Sequence, residues 1–136
     1  MFGISSSQFL NNSNIVVCYA GECPYLSYNQ FIAEACRMLK KIELPRITST
    51  LTGYNLNSCY SLESIIIPKE ITSIGSNALK NCGKLSIHME ATTPPTLGAN
   101  AFDGDPYTTI YVPIESLEEY KSAENWSTYE NIIIGE

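Results

Sequence analysis

Five cysteines, one histidine and a short acid-glycine-acid run are the residues that could do chemistry in this chain of 136 residues. Cys36, Cys59 and Cys82 are 23 residues apart at each step. Stacked in a column, their Cα atoms fall near disulfide range. Their side chains would all point the same way, however, as small buried thiols do. The reading is reduced core cysteines. A linear ladder of three thiols cannot converge on a tetrahedral metal centre. Cys18 and Cys23 lie outside that column, five residues apart. They could form a local disulfide or a redox pair, although the spacing is not C-x-x-C. His88 stands between Ile87 and Met89 on a strand, so its ring should point outward. A cysteine-histidine nucleophile pair needs an outward cysteine beside it, and the nearest candidate, Cys18, falls three strands away. Asp103-Gly104-Asp105 has the first ligands of a calcium loop but lacks the later ones, so a polar turn before Pro106 is expected. Glu115, Glu118 and Glu119 open a helix, where carboxylates complement the dipole. No acid/base pair, phosphate loop, metal set or cofactor site is expected, and the chain is read as non-catalytic.

Whatever these residues do, a repeat must position them. CRMLKKIELP, CYSLESIIIP and CGKLSIHME follow one another from Cys36. Leu39, Leu62 and Leu85 keep the step of 23, as do Ile42 with Ile65 and Pro45 with Pro68. A fixed period of this size is the signature of a solenoid, each repeat forming one turn of a stacked coil. One turn carries about four large aliphatics, too few to offset the ordering of about 23 residues, so each turn must be covered above and below. The strands should form a parallel ladder, and the coil should be right-handed.

Along the chain, Ile15, Val17 and Tyr19 alternate as a first strand, and residues 29–39 have helical composition with Phe31, Ala35, Met38 and Leu39 on one face. Ile42 and Leu44, then Ile65 and Ile67, should face inward, with Pro45 and Pro68 ending their strands. Leu51 and Leu56, then Ile71, Ile74 and Leu79, anchor the return arms. Ile74-Gly75-Ser76-Asn77-Ala78-Leu79 recurs as Leu97-Gly98-Ala99-Asn100-Ala101-Phe102, and Gly75 and Gly98 are expected to supply a positive-φ bend. The third strand is one residue out of step: Ile87 and Met89 come 22 residues after Ile65 and Ile67, and one extra residue within Ala91–Pro95 restores the phase at Leu97. After a fourth strand at Thr109–Val112 the pattern changes. A helix over Glu115–Lys121, Trp126 and a last strand at Ile132–Ile134 would cover the open end. The organisation expected is a single domain over 1–136, with a degenerate first rung or cap at 1–35, repeats at 36–113 and a C-terminal cap at 114–136.

The unit C-x-x-L-x-x-I-x-I-P followed by I-G-x-N-A-[LF]-x-x-C is carried by Cys59, Leu62, Ile65, Ile67, Pro68, Ile74, Gly75, Ala78, Leu79 and Cys82. It resembles the BspA-like leucine-rich repeats of bacterial and some protist surface proteins. YVPIESLEEYKSAENWSTY looks like the terminal segment that follows such repeats, so the resemblance covers about residues 36–134. In the rung of Cys36, Thr52 and Asn55 stand where the motif has glycine and alanine. The resemblance implies a leucine-rich-repeat solenoid of about five to six rungs, α/β in class. Its short parallel sheet would have irregular or short-helical return arms and a helical C-terminal cap. It implies adhesion or protein binding, without catalytic residues. Gut bacteriophage virion proteins also carry such modules, so a structural subunit of a virion or surface assembly is the alternative role.

Between the inward residues lies an outward column: Glu43, Ile66, His88 and Tyr111, with Ile133 as its candidate continuation. Lys41, Ser64, Ser86 and Thr109 form the neighbouring column. Isoleucine, imidazole and phenol in a row make a mixed strip of the kind found at interface centres. It is either a binding site, with Glu43, Ile66, His88, Tyr111, Lys41 and Ser64 as its residues, or an ordinary sheet face covered by the chain or a second copy. The partner expected is a protein, and an oligomer or assembly is possible. The net charge of −6 argues against nucleic acid. No apolar run is long enough to span a membrane. MFGISSSQFLNNSNIVV has neither a basic start nor an apolar core, so no signal peptide is expected. Location is open between the cell surface, which the resemblance favours, and a virion.

Overall fold

The computed structural model describes residues 40–44, 46, 49–51, 56–104 and 106–136, and the backbone of Val17, Cys18 and Glu43. Six strands form one parallel sheet: β1 (Val17–Cys18), β2 (Lys41–Glu43), β4 (Ser64–Ile67), β6 (Ser86–Met89), β8 (Thr109–Val112) and β9 (Ile133–Gly135), in the order β1-β2-β4-β6-β8-β9. The return arms form a second, three-stranded parallel sheet of β3 (Thr50–Leu51), β5 (Ser73–Ile74) and β7 (Thr96–Leu97). The three turns that carry β2 and β3, β4 and β5, and β6 and β7 each contribute one strand to each sheet, which is the solenoid the period requires.

Register follows from burial. Ile42, Ile65, Ile87, Ile110 and Ile133 stand opposite one another in successive strands, and all five are buried. Leu51, Ile74 and Leu97 do the same in the second sheet. A slip of one residue would turn every one of these side chains to solvent. The phase slip is present: Ile65 pairs with Ile87, whereas Ile74 pairs with Leu97. Glu63, which accepts from the Ser86 amide, is the residue that the next turn lacks, because Thr109 donates to Leu85 in its place. The segment from Met89 to Thr96 is correspondingly longer and recovers the register.

The glycines play a different part from the one expected. Neither Gly75 nor Gly98 has positive φ; the left-handed residues are Asn77 and Asn100, at 59° and 56°. Asparagine tolerates this region because its short polar side chain bonds locally. Gly98 is there for closeness: a Cβ on it would stand 2.2 Å from the Ser76 amide nitrogen of the turn below. A second left-handed column runs Ser58, Asn81, Gly104, at 63°, 59° and 124°.

After Pro113 the chain makes a 3-10 turn (Ile114–Ser116), helix α1 (Leu117–Ser122) and a longer 3-10 segment (Trp126–Ile132) before β9. Ile132 thus ends the 3-10 segment, and the last strand starts one residue later than the sequence suggests. Glu115, Glu118 and Glu119 lie in first helical turns, as expected. Tyr120 and Trp126 are fully buried, and Phe102, Tyr120, Trp126 and Tyr129 pack ring to ring.

This cap also completes the backbone ladder. In the inner turns, Thr72 oxygen accepts from the Thr96 amide, Ile74 oxygen from the Gly98 amide, and the Leu79 amide donates to Ala101 oxygen. The corresponding groups of the fourth turn have no further turn to meet. Trp126 Nε1 donates to Pro95 oxygen at 2.7 Å, Asn125 Nδ2 donates to Leu97 oxygen at 2.7 Å, and the Phe102 amide donates to Tyr129 Oη at 3.4 Å. Three side chains stand in for the backbone of a missing rung, which meets the requirement that buried peptide groups be paired.

Candidate protein-binding face

The outward column is built by the same register that fills the core. Glu43 pairs with Ile66, Ile66 with His88, His88 with Tyr111, and Tyr111 with Ile134. Ile134 therefore continues the strip, and the expectation of Ile133 is corrected. Ile133 stands opposite Ile110 and is buried, because strand residues alternate between faces. The period carried the signal, since Ile134 lies 23 residues after Tyr111.

Ile66 and Ile134 are 52% and 49% exposed, which is high for aliphatic side chains in the middle of a strand. Between them the rings of His88 and Tyr111 stack with centroids 4.6 Å apart and planes within 10°. Ring planes at this spacing stand up from the sheet, one per strand. His88 Nδ1 lies 2.9 Å from Glu136 Oε1, so a residue just past β9 ties the ring from two strands away. No sequence pattern marks Glu136 as a partner of His88. The parallel column has Lys41 exposed and Ser64, Ser86 and Thr109 half-buried, placing hydroxyls along one border of the strip.

Ion pairs frame the N-terminal rungs. Arg46 binds Glu90 through both guanidinium nitrogens, at 2.6 and 2.7 Å, and stands 3.6 Å from Glu70. One guanidinium thus spans two further turns. Its hydrogen bonds hold the Glu90 carboxyl below the usual carboxylate range. Lys40 and Glu63 make a looser exposed pair at 3.5 Å.

The other candidate chemistries resolve into packing. Cys59 and Cys82 are buried reduced thiols. Cys82 Sγ donates to Leu56 oxygen at 3.0 Å, and burial pushes its pKa up to about 12, so it is no nucleophile near neutral pH. Cys36, Cys23 and the side chain of Cys18 lie outside the described residues, as do the helix expected at 29–39, Pro45 and the rest of the first strand. Asp103 Oδ1 accepts from Tyr129 Oη at 2.7 Å and serves the cap, while Asp105 lies outside the described residues. Among the described residues no three of His, Cys, Asp and Glu are grouped to hold a metal ion. Among the described residues, the hollow beside Phe102 and Tyr129 has Asp103 as its one carboxylate. No helix of the described residues is long and apolar enough to cross a membrane.

Two parallel sheets joined turn by turn, with aliphatics in register and a heterologous cap, define a leucine-rich-repeat solenoid. The family model for the BspA type leucine rich repeat region matches residues 4–124 in six copies. The chain belongs to that family. Repeat families of this kind are typically protein-interaction modules rather than enzymes. No curated protein matches the chain.

Proposed function

We propose that this chain is a non-catalytic protein-binding or adhesion module that presents the outer face of its parallel sheet to a protein partner. One observation carries the reading: two half-exposed isoleucines, Ile66 and Ile134, bracket an imidazole-phenol stack on a parallel sheet in regular register. Apolar and aromatic groups held in fixed positions can be desolvated by a partner at little cost in side-chain entropy. Lys41 and Ser64 border the strip, and Glu43 is in register with it. The family match from residue 4 supports treating 1–136 as one solenoid domain, with 1–35 as its first rung or cap and 114–136 as its closing cap. Cell-surface placement rests on the family.

Ile66→Asp tests the reading. The side chain lies outside the core, so the circular dichroism and melting temperature should be unchanged. Partner capture should fall by about tenfold or more, as expected for a charge placed at an interface centre. A pull-down in which Ile66→Asp and Tyr111→Ala retain the same partners as the unaltered chain would show that the site is elsewhere.

A further inference from the structure

His88 is the only histidine in the chain, and its position makes it the polar centre of the strip. A carboxylate can only accept a hydrogen bond. With Glu136 Oε1 2.9 Å from Nδ1, the shared proton belongs on Nδ1 of the neutral ring. Nε2 is then left as an acceptor, and no partner for it is found among the described residues. The stack against Tyr111 fixes the plane of the ring, and the Glu136 carboxylate selects which edge of it carries Nδ1. The face therefore offers an apolar contact at Ile66, an acceptor at His88, a phenol at Tyr111 and an apolar contact at Ile134. Glu136 adds one negative charge beside the acceptor.

We propose, on the basis of the docking reading above, that the strip selects a protein segment in which a cationic hydrogen-bond donor lies between two apolar side chains, and that His88 gates this choice by pH. The donor, a guanidinium or ammonium group, meets Nε2 and the field of Glu136. The spacing can be worked from the ladder. Ile66 and Ile134 are three strands apart, roughly 14 Å at about 4.8 Å per strand, which an extended peptide covers in about four residues. A segment Leu-x-Arg-x-Leu lying across the strands thus reaches both isoleucines with its cation over the middle. When His88 is protonated, Nε2 becomes a donor and the ring carries positive charge, so a cationic partner meets a second donor and repulsion. Among the described residues, the titratable groups against the ring are Glu136 and the Tyr111 phenol; Ile66, in register on its other side, carries none.

The full chain, at 15.1 kDa, is small enough for nuclear magnetic resonance, and its single histidine gives one unambiguous imidazole signal. Long-range proton-nitrogen spectra at about pH 8 should show the Nδ1–H tautomer, and Glu136→Ala should shift the population toward Nε2–H. A wild-type ring mainly in the Nε2–H form overturns the inference. Blocked pentapeptides Leu-Ser-Arg-Ser-Leu and Leu-Ser-Glu-Ser-Leu are then titrated in, with the Ile66 and Ile134 methyls as reporters. The arginine peptide should bind about tenfold or more tightly than the glutamate peptide at about pH 8. That preference should be lost at a lower pH at which the same spectra show both ring nitrogens protonated. If both peptides move the methyls equally at both pH values, the face docks but His88 does not select, and this inference alone fails. If neither peptide moves them at either pH, the docking reading fails with it.

Discussion

Replacing Asn125 by Asp tests whether the cap works by supplying the hydrogen bonds of an absent rung. The substitution keeps the shape of the side chain, and aspartate, like asparagine, tolerates the left-handed backbone found there at φ 64°. What changes is the group facing Leu97 oxygen at 2.7 Å: the Nδ2 donor becomes an acceptor. A hydrogen bond of this kind contributes about 1 kcal/mol, and leaving a partly buried carbonyl unpaired costs about 1–3 kcal/mol in a dry site. Asn125 is exposed, so water and side-chain rotation relieve part of this, and the expected loss is about 1–2 kcal/mol. For a chain of this size that is a melting-temperature decrease of about 3–8 °C. The introduced carboxyl, facing a carbonyl, is easier to protonate in the folded chain than in the unfolded one. Once protonated it can donate again. The deficit against wild type should therefore narrow as pH falls through the carboxylate range, roughly pH 4. Thermal melts across pH give the magnitude, and native-state hydrogen exchange gives the location. Contacts in a solenoid run between neighbouring turns, so protection should fall first in Leu97–Tyr129 and least in Ser64–Ile67. An unchanged melting temperature, or protection lost evenly over all rungs, would refute the idea that Asn125 stands in for a rung.

Gly98→Ala should destabilise by about 1–3 kcal/mol, because the new methyl meets the Ser76 backbone and not a side chain that can swing aside; urea unfolding measures it, and a neutral result would mean that the return arms are not in close contact. Glu90→Gln removes a carboxylate held below its usual range by Arg46, with an expected loss of about 0.5–1 kcal/mol near neutral pH. Because the folded-state value is the depressed one, this contribution is present above the ordinary carboxylate range and is lost as pH falls through the depressed folded value, so wild type and variant should converge there; a constant gap across pH would contradict it. Cys59 and Cys82 should resist iodoacetamide at about pH 8 in the folded chain and react once it is unfolded, as read by mass spectrometry, with labelling of folded Cys82 excluding its burial.

The period of 23 was enough to determine which residues stack on which. A coil whose turns bury one another needs an aliphatic at the same place in each turn, and strand alternation then assigns the residues between them to the outer face. That is why Ile42, Ile65, Ile87 and Ile110, the one-residue slip after Leu85, the inward Cys59 and Cys82 and the register of the column Glu43–Ile66–His88–Tyr111 are all legible. At the final strand, too, the step of 23 from Tyr111 leads to Ile134 and leaves Ile133 in the buried column.

Tertiary structure alone decided what each column does beyond stacking. A recurring glycine looks the same in sequence whether it bends the chain or admits a neighbour, and only the backbone angles and the 2.2 Å approach to Ser76 separate the two at Gly98. The bonds of Arg46 to Glu90, Glu136 to His88 and Asn125 to Leu97 join residues that no period relates. Polar partners need only meet in space with the right donor and acceptor, whereas burial repeats because each turn of the coil repeats. Hence the core was written in the spacing of the residues, while the cap's hydrogen bonds and the polarity of the outer strip emerged only once the turns were stacked.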